Sequence, residues 1–278
     1  MKPAAFLWVI LALLPVRASA DDGLRWNLTV LPHASLRYRG EGKVLPESYV
    51  NRFAGETSPI YRFELTQVPR SDGYWGVSFW HTGVFGGGSY AEERVPDNTT
   101  GGAYQINQLN VGFTNLFVTY HRPVAALPVE ARVHASVVRE IFKRKQFIVQ
   151  NVDYRWTNFD DVNEISAEGL GFGLAGRHGG RFYLRWQADA HYYIQLFDAK
   201  TDSSAGQIYQ SEAALGARVL PRLSVEFGAL WQYWFTHSQG NRRLVIPGTD
   251  GAVISWNRQE TRASGAFLRL DYFFAGRD

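Results

Sequence analysis

The sequence predicts an all-β protein, a closed antiparallel transmembrane β-barrel of about ten strands, on three observations. Apolar and polar residues alternate with period two over segments long enough to cross a bilayer. Short and long connections alternate along the chain, and no stretch after the first twenty residues is apolar enough for a membrane helix.

The opening segment is read separately. Lys2 precedes an apolar run from Ala4 to Leu14, and Ala18-Ser19-Ala20 stands ahead of Asp21. The run is too short for a permanent membrane helix, and small side chains at 18 and 20 suit signal peptidase. Residues 1–20 are therefore expected to be a cleaved signal peptide, and 21–278 one barrel domain.

The first strand is expected over Leu24 to Tyr38, where the even positions (Leu24, Trp26, Leu28, Val30, Leu36) are apolar. The odd ones (Arg25, Asn27, Thr29, His33, Ser35, Arg37) are polar. Weaker alternation marks Tyr61–Gln67 and Trp75–Phe79. Tyr104–Tyr120 changes phase between Phe113 and Leu116, which suggests a β-bulge near Thr114-Asn115 or two short strands. Val129–Val137 alternates against Glu130, Arg132, His134 and Ser136, and Ile165–Leu174 follows more weakly. The clearest run is Arg181–Phe197, with Phe182, Leu184, Trp186 and Ala188 opposite Arg185, Gln187, Asp189 and His191. Tyr209–Val219, Leu223–Phe235 and Ala266–Phe274 complete ten; eight or twelve also fit the spacing.

Connections near 69–72, 122–128, 177–180 and 220–222 are short, and those near 39–59, 86–103, 139–164, 198–206 and 237–258 are long. An up-and-down barrel places these on opposite sides, as short periplasmic turns and long extracellular loops.

Composition excludes several classes. There are no cysteines, so neither disulfides nor thiolate metal sites are available. The net charge of +3 falls to +1 without Lys2 and Arg17, and both signs are spread along the chain, so no nucleic-acid footprint is present. A secreted β-sandwich is the non-membrane alternative; it would bury the apolar strand faces against a second sheet.

The last strand, with Ala266, Leu268, Leu270, Tyr272 and Phe274 alternating, resembles the C-terminal signature of Gram-negative outer-membrane barrels, although Ala275-Gly276-Arg277-Asp278 extends past the aromatic. Trp26, Tyr38, Trp75, Tyr120, Tyr233 and Tyr272 resemble their interfacial aromatic girdles. The resemblance implies export to the outer membrane and, as partners, its lipid and lipopolysaccharide and the barrel assembly machinery. Lys143-Arg144-Lys145 is expected at the extracellular rim, facing solvent or lipopolysaccharide phosphates.

The residues expected to line the lumen balance in sign: Arg25, Arg37, Arg62, Arg132, Arg185, Arg218 and Arg269 against Glu64, Glu130, Glu168, Asp189, Glu212, Glu226 and Asp271, with His191 among them. Such balance suits interior charges that must pair. Asp189-Ala190-His191 places a carboxylate and an imidazole on one face and resembles the Asp-His pair of omptin-type proteases; their second acidic pair, Asp-x-Asp, is missing here. His134-Ala135-Ser136 resembles the His-x-Ser element of lipid A 3-O-deacylases, but Val137 replaces the Asn that should follow, and the later Glu is missing. The catalytic candidates are thus Asp189, His191, His134 and Ser136. No HExxH-like spacing ties the histidines together, so neither metal nor cofactor is expected. The leading expectation is a structural or binding barrel with a charge-paired lumen, whose exterior loops meet an extracellular or small-molecule ligand. The alternatives are a narrow channel for small solutes or ions, and a hydrolase acting on lipid A or peptide.

Overall fold

The computed structural model describes residues 23–44, 47–57, 59–82, 91–95, 105–125, 127–150, 156–195, 204–245 and 253–274. The expected signal peptide and the last four residues lie outside these. β1 (Leu24–Leu31) and β2 (Ala34–Val44) follow each other along the first crossing. β3 (Glu47–Thr57) with β4 (Ile60–Gln67), and β5 (Tyr74–Thr82) with β6 (Ala91–Val95), form the next two. β7 (Gln105–Pro123), β8 (Val129–Gln150), β9 (Trp156–Gly179), β10 (Phe182–Gln195), β11 (Ser204–Leu220), β12 (Leu223–Val245) and β13 (Val253–Phe274) each cross unbroken.

Every pairing is antiparallel between chain neighbours, and β13 returns to β1, with Asn27 opposite Asp271 and Thr29 opposite Arg269. The result is a closed antiparallel ten-strand barrel. The ring formed by β1, β4, β5 and β7 to β13 closes without a free edge, as a bilayer requires because lipid cannot hydrogen-bond a strand edge; β3 pairs only β2 and β6 only β7 among the described residues. The turns after β4, β7, β9 and β11 gather at one end with Gly23 and Phe274. There Val68 N–H donates to Gly23 at 2.9 Å and Phe273 N–H to Arg222 at 3.0 Å. Gly179 takes φ +117 in the β9–β10 turn, a left-handed geometry that a side chain would strain.

The outside is apolar. Phe63, Phe79, Val133, Leu170, Phe172, Leu174, Phe182, Leu184, Leu215, Phe227 and Leu268 are all exposed, while their strand neighbours Arg62, Arg132, Asp189, Glu226 and Arg269 are buried. Two aromatic belts bound this band. Trp26 lies 6.2 Å from Tyr272 and Trp75 5.0 Å from Tyr120 near the short turns; Tyr209, Tyr233 and Trp231 stack at 6.3 and 6.2 Å nearer the other end. Tyr272 faces Leu223, ten residues before Tyr233 on β12. At ~3.4 Å per residue and a tilt of ~40° the belts stand about 25 Å apart, the height of an outer-membrane apolar band.

Three sequence expectations are corrected. The long connections at 39–59, 139–164 and 237–258 are largely strand: β2 pairs β3 up to Val44–Glu47, β8 pairs β9 out to Gln150–Trp156, and β12 pairs β13 out to Val245–Val253. These segments mix polar and apolar residues without strict alternation, so backbone pairing continues where the period-two signal fades. The bulge expected at Thr114-Asn115 does not occur, since β7 pairs both neighbours in register there. Phe113 and Phe117 are apolar yet point inward, and this mimicked a phase change. β7 shifts register instead between Ile106 and Gln108, and the strand expected unbroken over Leu24 to Tyr38 gains an extra residue at Pro32-His33, where four residues lie between Val30 and Ser35 but three between their partners Leu268 and Ser264. Pro32 has no N–H for the ladder, and the inward set passes from odd positions to Ala34.

Candidate functional site

That bulge corrects one lumen assignment. Arg37, paired with the outward Arg262, is exposed on the outer face, and so are His33 and Ser35. Glu168 is corrected too: it shares the outward face of β9 with Leu170, Phe172 and Leu174, because the inward positions there are Ala167, Gly169, Gly171, Gly173 and Ala175. Arg218 keeps the inward register of β11 but is exposed beside the short turn at the barrel mouth. The other twelve residues assigned to the lumen face inward.

Their charges are paired. Arg269, fully buried, donates to Glu226 and Glu212 at 2.8 Å each and to Thr29 at 2.8 Å. Glu212 also meets Arg62 at 2.9 Å, and Arg185 reaches Glu226 at 3.4 Å. Arg25 clasps Asp271 with two hydrogen bonds of 2.7 and 2.5 Å, and Asn27 donates to Glu64 at 2.8 Å. Glu130 accepts from Tyr74 at 2.5 Å and lies 3.2 Å from His121, which stacks on Tyr74.

The second cluster is built across a stripe of glycine. Gly169, Gly171 and Gly173 occupy consecutive inward positions of β9, so side chains of β8 and β10 meet over it: Arg132 with Asp189 across Gly173, and His134 with His191 across Gly171. A Cβ at Gly173 would clash with Asp189 Oδ1, and one at Gly171 with His191 Nδ1. Arg132 Nη1 donates to both oxygens of Asp189 at 3.1 and 3.0 Å, and Gln187 donates to Oδ2 at 2.6 Å. His134 Nε2 lies 2.9 Å from Asp189 Oδ1, and its Nδ1 lies 2.9 Å from Thr119 Oγ1. The His134 and His191 rings stand 4.7 Å apart, and His191 packs 4.9 Å from Phe117.

Ser136 is buried, and its Oγ has no hydrogen-bond partner. Both nitrogens of His134 are engaged elsewhere, so the His-x-Ser spelling does not assemble a base and nucleophile. Asp189 and His191 do share one face, as the sequence indicated, but Asp189 is met by Arg132, His134 and Gln187 rather than by a second acidic pair. The glycine stripe was the missed signal: Gly-x-Gly-x-Gly along one strand face marks where neighbouring side chains must meet.

Two cavities flank these clusters. A vestibule of about 440 Å³ opens at the short-turn end and is lined by Arg25, Glu64, Tyr74, His121, Glu130, Arg177 and Arg185, among others. A cavity of about 10 Å³ lies against Asp189, His134 and His191 and shares Glu64 with the vestibule. Toward the other end Leu31, Ile60, Trp80, Phe117, Val138, Tyr193, Ile208, Trp234 and Phe267 fill the lumen.

No family model matches the chain, and no characterised protein matches it by sequence. Among solved structures the fold is similar to the outer-membrane protease OmpT from Escherichia coli, with a TM-score of 0.55 and 12% identity over 91% of this chain and 97% of that one. Lower similarities, below the level that bears on the site, include the Ralstonia pickettii toluene transporter TbuX. Its TM-score is 0.39, with 8% identity over 92% of this chain and 90% of that one. The beta domain of the Bordetella autotransporter BrkA has a TM-score of 0.36, with 12% identity over 90% of this chain and 99% of that one. The chain therefore has the fold of a Gram-negative outer-membrane β-barrel.

Proposed function

We propose that this chain is a non-conducting outer-membrane barrel of structural or binding type, exported by residues 1–20 and seated with its short turns in the periplasm. The observation that carries this reading is the filled lumen. Among the described residues, the cavity between the vestibule and the apolar layer, beside the paired Arg132 and Asp189, holds about 10 Å³, room for about one water. A conducting pore needs a continuous wet path lined by groups that exchange an ion quickly. Arg269, held by two carboxylates with no solvent exposure, is the opposite of such a group. The hydrolase reading has less support, because the cavity beside His134 is too small for a lipid or peptide substrate.

The binding part of the reading rests on the vestibule, whose 440 Å³ is the size of a small-molecule site. Of the exterior loops expected to bind ligand, 86–103 and 198–206 lie largely outside the described residues, and the other three are largely strand. Planar-bilayer recording of the refolded mature chain tests the central point. A flat baseline is expected after insertion has been verified by heat-modifiable electrophoresis; stepwise conductance from the unmodified chain would return the narrow channel to first place.

A further inference from the structure

We propose that His134, Asp189 and His191 form a binding site for one divalent transition-metal ion of the zinc class, loaded from the periplasmic vestibule. This goes beyond the barrel's proposed role and stands or falls separately from it.

One donor atom from each of the three residues lies within 4.8 Å of the others, and all three are buried. Two imidazoles and a carboxylate are a ligand set that suits zinc and leaves a fourth position for water. The cavity of about 10 Å³ against these residues is the size of that water. His191 Nδ1 is buried without a hydrogen-bond partner, so this imidazole has a nitrogen that no protein group engages.

The ion would take the place of a hydrogen between two ligands. His134 Nε2 and Asp189 Oδ1 are 2.9 Å apart, joined by the Nε2–H. Two ligands at ~2.05 Å on a tetrahedral ion stand about 3.3 Å apart, so an opening of a few tenths of an ångström admits the ion. Once Nε2 binds metal, Nδ1 must carry the imidazole hydrogen. Thr119 Oγ1, 2.9 Å away, serves either state, because a hydroxyl can donate to bare Nδ1 or accept from Nδ1–H. Loading therefore moves the imidazole hydrogen from Nε2 to Nδ1, with no net change in the protons that His134 holds. Asp189 Oδ2 keeps its bonds to Arg132 and Gln187 as an outer shell.

Charge permits this. Two guanidiniums, Arg62 and Arg132, and two carboxylates, Glu64 and Asp189, line the cavity, so the cation does not enter a positive site. Glu64 also lines the vestibule and places a carboxylate along the entry path.

The test is calorimetric titration of Zn²⁺ into the full-length, tag-free mature chain in detergent micelles. One Zn²⁺ per chain is expected. His191→Phe keeps the packing on Phe117 and removes a ligand that makes no hydrogen bond. It should fold, as judged by heat-modifiable migration, and weaken binding by more than about 100-fold. Thr119→Val removes an outer-shell partner and should cost about 10- to 100-fold. His178→Asn, at an exposed position beside the β9–β10 turn, should leave affinity unchanged. Co²⁺ in place of Zn²⁺ should give the visible absorption of a four-coordinate site in the unmodified chain and lose it in His191→Phe. Absence of stoichiometric binding at micromolar Zn²⁺, or equal losses in His178→Asn and His191→Phe, would each overturn the assignment.

Discussion

In the half of the lumen nearest the short turns, Arg269 lies 2.8 Å from both Glu226 and Glu212, and Arg25 clasps Asp271. In the other half Trp80, Phe117, Tyr193, Trp234 and Phe267 fill the same cross-section with aromatic rings, and Trp234 Nε1–H donates to the Tyr193 hydroxyl. Beyond the vestibule, both halves fill their cross-section, by different physics. Charges buried from water must be paired, since each alone costs several kcal/mol, whereas rings need only fill the space. The seam between the halves uses both properties of one side chain: the guanidinium of Arg62 lies 4.7 Å from the Trp80 ring, and that of Arg269 4.8 Å from Phe267. A guanidinium is weakly hydrated and planar, so its edge serves a carboxylate while its face covers an aromatic ring.

The sharpest way to break this comparison is to remove one charge and keep the volume. Arg269→Met leaves Glu212 and Glu226 without their shared partner, which should cost about 3–5 kcal/mol. Urea unfolding in lipid vesicles, followed by tryptophan fluorescence, measures it. Adding Glu226→Gln to Arg269→Met should recover part of the loss, because one fewer uncompensated charge stays buried. If Arg269→Met costs less than about 1 kcal/mol, the charged half is hydrated, and the contrast between the halves is lost.

A smaller effect tests how the two strands flanking β9 are brought together. Gly173→Ala places a methyl where Asp189 Oδ1 now sits, close also to the Ala188 carbonyl. Asp189 must move from Arg132 and His134, at a cost of about 1–3 kcal/mol for overpacking. The same substitution at Gly180, where nothing lies within 4 Å, should be close to neutral. Equal effects at the two positions would remove the glycine stripe as the reason the histidines meet.

These two halves were not equally legible in the sequence. Polar residues opposite apolar ones announce an inward face directly, so Arg132, Asp189, Glu212, Glu226 and Arg269 were found from alternation. The aromatic half is apolar on both faces: Phe117 points inward while Phe79 and Phe172 point outward, and hydropathy alone does not separate them. Glu168 failed for the complementary reason, since glycine on the inward face of β9 carries no hydropathy signal against which to set the phase. Arg37 failed because a single extra residue at Pro32-His33 inverts every later position of that crossing. Pairing across strands, which joins His134 to His191 through Gly171, depends on register between β8, β9 and β10 and is not encoded in any one segment.

The smallest prediction sharpens the aromatic side of the comparison. Ile208 is fully enclosed, opposite His191 on β10 and Trp234 on β12. Ile208→Val deletes one methylene and introduces no polar atom. In a close-packed interior it should cost about 0.5–1.5 kcal/mol, the transfer of that group plus the space it leaves. A side chain facing a water-filled lumen would change stability by less than about 0.5 kcal/mol. The experiment is the same unfolding series, with Leu215→Val as the reference, because Leu215 is 70% exposed on the outer face, where lipid can follow the change in shape. A cost at Ile208 clearly above that at Leu215 means that the ring-lined half is packed as tightly as a soluble core. Equal costs would mean that closure of the barrel rests on the charged half alone, and that Arg269 and its carboxylates are the whole of the barrier to solutes.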